Sequence, residues 1–243
     1  MDPRLSVIDK RLENIGRIIA VSGGKGGIGK SVTASTLALL LAKQGLAVGL
    51  LDMDLCGPSD HVILGIPTGA YPEEDKGLIP PEAHGVRFMS ITYFAGQNPV
   101  PLRGQEVSNA IIEMLAITRW PDLDCLIIDM PPGTGDPALD VIRFIKPVEF
   151  LVVTTQSRVA LAMAEKELSV LQELKVKVAG VLENLRLNDQ GLSADKELSR
   201  FPVAFFGPIT YDPSLEAALG DGEKLLQTGF AAQLAEVAKK LGK

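Results

Sequence analysis

An apolar run from Arg17 to Ser22 leads without a break into Ser22-Gly23-Gly24-Lys25-Gly26-Gly27-Ile28-Gly29-Lys30-Ser31, and a helical pattern begins directly afterwards. A strand that turns through glycines into a helix, with Lys-Ser closing the turn, satisfies G-x-x-x-x-G-K-[ST] in the setting that motif requires. The glycines let successive backbone N–H groups face inward around phosphate oxygens, and the following helix adds its positive N-terminal end. Lys30 supplies a charge to the β- and γ-phosphates, and Ser31 can ligate Mg2+. Gly24, Gly26, Gly27, Ile28, Gly29, Lys30, Ser31 and Val32 are therefore the expected contacts of a nucleotide. A turn that only reversed the chain would need neither the two lysines nor the serine.

The rest of the chain supplies the fold for such a loop. Short β-branched or apolar runs recur at 17–22, 47–52, 87–90, 126–129, 150–155, 176–182 and 203–206, and helical patterns lie between most of them, at 31–44, 107–118, 160–174 and 230–241. This alternation predicts an α/β fold, a three-layer, doubly wound and mainly parallel sheet with helices on both faces. With 243 residues, 46% of them apolar, the chain is expected to form a single domain over 17–243, preceded by a helical extension over 1–16. Leu5, Ile8 and Leu12 sit at helical spacing in that extension, which suits packing on the domain better than a partner-binding arm. The Pro- and Gly-rich, acidic stretch 65–85 reads as a surface excursion.

Charge and cysteine content narrow the function classes. Twenty-four basic against thirty acidic residues give a net charge of -6, which disfavours non-specific nucleic-acid binding. Cys56 and Cys125 are the only cysteines and form no CxxC pair, so a disulfide framework or cysteine-rich metal cage is not available within one chain. The first residues carry charges where a signal peptide needs an apolar run, and no transmembrane segment is expected. The expected compartment is the cytoplasm.

Two further strands end in acids. Leu50-Leu51-Asp52-Met53-Asp54 closes the second run and Leu126-Ile127-Ile128-Asp129-Met130-Pro131-Pro132-Gly133 closes the fourth. In a doubly wound sheet the carboxyl ends of the strands form the ligand-binding rim. Asp129 would accept from a Mg2+-bound water, and the Gly133 amide can approach a γ-phosphate because no Cβ intervenes. Asp52 suits either a hold on Mg2+ through water or a cap on the next helix.

GKGGIGKS resembles the deviant Walker A loop of the Mrp/MinD/ParA class of ATPases. The resemblance implies that Lys25 reaches across an ATP-dependent homodimer to the partner's nucleotide, as an arginine finger does, although a lysine drawn to nearby phosphate would also stand there. It makes Asp54 the first switch aspartate, which orients or deprotonates the attacking water and shares in holding Mg2+. The catalytic set it implies is Lys25, Lys30, Asp54 and Asp129, with ATP and Mg2+ as the bound groups. DMPPGTGD (129–136) and DLCGPS (54–59) are similar to the Mrp branch in particular, as are Pro101-Leu102-Arg103-Gly104, Trp120 ahead of Asp124, and the run from Val153 to Leu161. By the same resemblance Asn184 reads the adenine, with a strand-end cap as the plainer alternative, and Pro208 lines the base through its backbone.

The chain departs from that branch where a cluster-bridging CxxC pair would follow the asparagine, since it reads Leu185-Arg186-Leu187-Asn188-Asp189-Gln190-Gly191. Gln156 stands where the branch carries proline. Cys56 and His61, with Asp60 between them, form the remaining soft-ligand group that could meet a transition metal, with structural roles favoured. Cys125 reads as a buried hydrophobe and His84 as a solvated side chain. The resemblance implies an accessory ATPase of metallocentre assembly, iron–sulfur or nickel, hydrogenase maturation being one instance, with a metalloenzyme or maturation factor as protein partner and a transition metal or cluster in transit. The alternative is a MinD/ParA-like positioning switch on membrane or DNA. For it the stripe Phe230, Leu234, Val237 and Leu241 beside Lys239 and Lys240 would dock on lipid, whereas packing on the sheet requires less.

Overall fold

The computed structural model describes residues 2–69, 71–95, 102, 104–133 and 135–242. Pro101, Arg103 and Thr134, part of the segments that carry the resemblance, lie outside the described residues. From the N-terminus, α1 (Arg4–Leu12) precedes β1 (Ile15–Ser22), α2 (Lys30–Lys43), β2 (Val48–Asp52) and α3 (Asp60–Leu64). The short strands β3 (Glu73–Glu74), β4 (Leu78–Ile79) and β5 (Glu82–Ala83) lead to β6 (Val86–Ser90), α4 (Thr92–Ala95) and α5 (Gln105–Ile117). The chain continues through β7 (Leu123–Asp129), α6 (Asp136–Phe144), β8 (Glu149–Thr154), α7 (Arg158–Glu173), β9 (Lys177–Arg186) and α8 (Ala194–Glu197). It closes with β10 (Phe205–Thr210), α9 (Leu215–Ala218), α10 (Gly222–Leu226) and α11 (Gly229–Leu241).

The eight-stranded sheet runs β10-β9-β8-β1-β7-β2-β6-β5 and is parallel throughout except at its edge, where β5 pairs antiparallel with β6. This is the doubly wound, mainly parallel sheet the alternation predicts. Every residue of β2 and β8 is buried, as strands covered on both faces must be. The register places Val21 of β1 and Asp52 of β2 against Asp129 of β7, so the carboxylates at the ends of β2 and β7 face each other where β1 enters the glycine loop.

Packing decides the two amphipathic stripes. Ile8 and Leu12 of α1 are buried against the domain, with α1 seated on α5 and Arg4 paired to Glu113 at 3.2 Å. Phe230, Leu234, Val237 and Leu241 of α11 are buried, each no more than 3% exposed, on α2. The lipid-docking stripe is thereby used up inside the protein. Among the described residues no helix is long and apolar enough to cross a membrane.

Among the elements that differ from expectation, three bear on the ends of the sheet. Helix α6 follows the Pro-Pro-Gly turn with proline in its first turn, a position that suits the fixed φ of proline. β9 runs four residues further than expected, to Arg186 instead of Leu182. β10 is displaced to Phe205–Thr210, and its pairing with β9 is interrupted on both sides of Pro208, which has no N–H to donate. His84 is exposed but not merely solvated, because its Nε2 lies 2.9 Å from the Leu64 carbonyl and ties the excursion to the end of α3.

Candidate functional site

The phosphate loop is shaped by backbone conformation first. Gly29 caps α2 at φ +86°, the left-handed region, and a Cβ there would stand 2.3 Å from Asn184 Nδ2. Gly24 passes so close under α7 that a Cβ would lie 2.6 Å from Met163 Cβ. The Gly29 carbonyl accepts from the Thr33 amide at 3.0 Å and the Thr33 hydroxyl at 2.7 Å, which fixes the first turn of α2. Ile28 is buried while Lys25, Gly26 and Gly27 are exposed, and Ser31 and Val32 are half-buried at the start of the helix.

Lys30 is 7% exposed and its Nζ donates to the Lys25 carbonyl at 3.4 Å. Burial pushes its ammonium below the ordinary lysine range, and Asp129, Asp54 and Glu167 oppose that by favouring the charge. The Lys25 side chain stands outside the loop, with its backbone carbonyl alone turned toward Lys30.

Asp52 and Asp129 are buried together, and a third carboxylate, Asp60 at the start of α3, joins them, with ligand atoms of all three within 4.8 Å of one another. Burial, reinforced by mutual repulsion, pushes Asp52 up to about 8 and holds Asp60 well above the carboxylate range. Burial also pushes Asp129 up to about 7, against the Ser31 hydroxyl and Lys30, which favour its charged form. The Ser35 hydroxyl donates to Asp60 Oδ1 at 2.6 Å and the Asp54 amide to Asp52 Oδ1 at 3.1 Å. Asp52 Oδ2, Asp60 Oδ2 and both oxygens of Asp129 have no hydrogen-bond partner. Orphaned buried carboxylate oxygens beside a serine hydroxyl are a donor set that suits a hard divalent cation such as Mg2+. Asp52 belongs to this cluster, and the Asp60 amide at the start of α3 also favours its charged form. Asp54 is half-buried beside the loop and accepts from the Gly57 amide at 3.0 Å.

The second acid-ended strand leads to Gly133 at φ +100°, whose amide donates to the Gly23 carbonyl at 3.3 Å. This bond sets the Gly133 amide against the end of β1 where the phosphate loop begins. Asn184 lies inside β9 at 1% exposure, and its Nδ2 donates to the Ile28 carbonyl at 3.0 Å while its Oδ1 has no partner. It anchors the phosphate loop to β9, and the strand-end cap is corrected because the strand continues past it. Pro208 is exposed on β10, opposite Glu183.

Asp60 does not join Cys56 and His61 in a ligand group. Cys56 is exposed, whereas Asp60 turns inward to Ser35 and the carboxylate cluster. Cys125 is 4% exposed and burial pushes its thiol up to about 12, so it behaves as the small hydrophobe expected. Gln156 clamps the loop that lacks the CxxC pair: its Nε2 donates to the Asn188 carbonyl at 2.8 Å and the Gln190 carbonyl at 3.4 Å, and its Oε1 accepts from the Leu187 amide at 3.4 Å. Sequence reasoning misses two site residues. Asp60 stands out only as a spacer between Cys56 and His61, and Glu167, 3% exposed on α7, looks like any helical glutamate.

A family model described as ParA, NUBPL iron-transfer P-loop NTPase, matches residues 14–241. The chain belongs to this family. Among its relatives, the iron-sulfur cluster carrier protein of Pseudomonas fragi is 43% identical over 180 residues, which cover 73% of this chain and 63% of that protein. The protein of the same name from Escherichia coli K12 is 42% identical over 180 residues, 73% of this chain and 48% of that one. The chain therefore spans about half to under two thirds of these relatives. A nucleotide-binding protein from Archaeoglobus fulgidus, solved in complex with ADP, superposes with a TM-score of 0.77 at 33% identity, over 91% of this chain and 92% of that one. The cell division ATPase MinD of Pyrococcus furiosus superposes with a TM-score of 0.69 over 93% of this chain and 98% of that one, at 20% identity, a likeness of fold.

Proposed function

We propose that this P-loop NTPase binds and hydrolyses ATP as a dimerising switch in iron–sulfur metallocentre assembly. The observation that carries the nucleotide chemistry is the gathering of the unpartnered Asp52 Oδ2 and both Asp129 oxygens at one sheet edge, with Lys30 buried in the field of Asp129. Nucleotide phosphates would lie on the amides from Gly24 to Val32, with Lys30 as the charge beneath them. Ser31, Asp52, Asp54 and Asp129 would hold Mg2+, partly through water, and when bound the ion neutralises charge on the phosphates. Asp54, the most accessible of the acids, aligns the attacking water and takes its proton. Lys25, exposed above the loop, serves the partner's nucleotide, so hydrolysis needs two chains. Asn184 and Pro208 bound the side where the base would sit.

The names of the relatives and of the family support iron–sulfur assembly over nickel delivery or hydrogenase maturation. The segment 185–191 offers no thiolate, so the cluster would be handled together with a partner protein, a maturation factor or metalloenzyme. Burial of the α11 stripe removes the feature that favoured the membrane reading. The test is anaerobic capture with the Asp54→Ala protein in ATP and Mg2+, with elemental analysis of the bound fraction. ATP-dependent recovery of iron with an iron–sulfur protein is expected; recovery of lipid-associated or chromosomal proteins without metal would overturn the reading.

A further inference from the structure

Three carboxylates from three different elements meet at the rim of the sheet. Asp52 ends β2, Asp60 opens α3 and Asp129 ends β7; each is 0% exposed, and each offers a ligand atom within 4.8 Å of the other two. Asp52 and Asp129 are the acids already given to the nucleotide's Mg2+, whereas Asp60 has no part in that set. A carboxylate at the start of a helix ordinarily serves the amides of its own first turn. The Asp60 side chain instead crosses to α2, where Oδ1 accepts from the Ser35 hydroxyl at 2.6 Å and Oδ2 has no hydrogen-bond partner. Ser35 lies one helical turn after Ser31 on the same face of α2, so the bond holds Asp60 on the side of the helix that carries the expected Mg2+ hydroxyl.

Buried carboxylates are ordinarily paired with a base or bound to a metal. Among the described residues none of the three takes part in an ion pair. Asp52 Oδ2, Asp60 Oδ2 and both oxygens of Asp129 have no hydrogen-bond partner, so whichever Asp129 oxygen lies within 4.8 Å of the other two residues is an orphaned one. The spacing suits a single ion. Opposite ligands of Ca2+, at about 2.3–2.6 Å from the metal, stand about 4.6–5.2 Å apart, and those of Mg2+, at about 2.0–2.1 Å, stand about 4.0–4.2 Å apart. Carboxylate oxygens select such hard ions over the softer transition metals.

We infer that Asp60 is a direct ligand which, together with Asp52 and Asp129, binds a hard divalent cation on protein oxygens alone, with no phosphate required. The inference rests on the proposed reading of Asp52 and Asp129 as acids of the Mg2+ site and extends it. A site that reached its ion through one serine hydroxyl and bridging waters would take it up together with nucleotide; three carboxylates supply enough charge to take it up beforehand.

The experiment is titration of the full chain with Mn2+ in buffer without nucleotide, read by the paramagnetic resonance signal of the free ion, and repeated with ADP. The wild-type protein is expected to take up one Mn2+ per chain without ADP and to release it to excess Mg2+ or Ca2+. Asp60→Asn keeps the shape and the Ser35 bond but loses the charge, and is expected to weaken that uptake by about tenfold or more. If this variant does not fold, Asp60→Ser, smaller and neutral, carries the same expectation. Wild-type uptake that occurs only with ADP, or equal uptake by a folded Asp60→Asn protein, would overturn the inference and leave the nucleotide reading standing. No uptake even with ADP would sink the shared Mg2+ site as well, so the two failures are distinguishable.

Discussion

Asp60→Asn probes the electrostatic cost stored at the rim of the sheet. Asp60, Asp52 and Asp129 are buried with ligand atoms within 4.8 Å of one another, and two unit charges at that distance repel by about 3.5 kcal/mol at an effective dielectric of about 20. The sign follows from linkage. All three carboxyls titrate above the 3.8 of an ordinary aspartate, so the native state keeps protons that the unfolded chain releases. Stability of the nucleotide-free protein therefore declines as pH rises from about 4 through about 8. The amide is neutral throughout, its oxygen keeps the Ser35 hydrogen bond of 2.6 Å, and its NH2 can donate to the orphaned oxygens of Asp52 or Asp129. Because protonation already relieves part of the repulsion, the net gain at pH 8 is about 2 kcal/mol, or roughly 4–8 °C in Tm for a chain of this size. It is smaller at pH 5 and vanishes toward pH 4, where the unfolded carboxyl is protonated as well. Thermal unfolding without nucleotide or divalent ions at both pH values reads this directly. A variant destabilised at pH 8, or shifted equally at both values, would refute the electrostatic account of the cluster.

Two further outcomes follow from the same geometry. Lys30→Ala should abolish ADP binding by calorimetry while leaving the far-ultraviolet spectrum unchanged, and unaltered affinity would remove Lys30 from the phosphate site. Asn184→Ala deletes the 3.0 Å bond to the Ile28 carbonyl and leaves that acceptor unpaired, so urea unfolding should show a loss of about 1–3 kcal/mol together with weaker ADP binding; wild-type stability would deny the anchor.

The phosphate loop is legible in the sequence because its requirements are local. Glycines at positive φ, a lysine and a serine occur within ten consecutive residues, between a strand and a helix that their own periodicity announces. The acids at the ends of β2 and β7 are legible for a related reason, since a doubly wound sheet sends every strand end to the same rim. Asp60 and Glu167 are not, because each is brought to the site by how a helix packs: α3 turns Asp60 toward Ser35 of α2, and α7 lays Glu167 against β1 and the loop. Asp60, read only as lying between Cys56 and His61, turns inward to Ser35 and the buried carboxylates. Near the C-terminus, the apolar residues 203–206 mark a strand that falls two to four residues later, with Gly207 at φ +82° and Pro208 breaking the register that a simple pattern assumes. Helix α6, only nine residues long, is hidden by the proline-rich turn before it.

The central claim is a hydrolytic site completed by a second chain, and mixing two inactive variants tests it most directly. Lys25→Ala lacks the lysine given to the partner, and Asp54→Ala lacks the group that aligns water in its own site, so each alone should release almost no phosphate from ATP. Mixed in equal amounts they form heterodimers in which one site is intact, and random pairing of a symmetric dimer should restore about a quarter of the wild-type rate. No restoration on mixing, or full activity of Lys25→Ala alone, would contradict it.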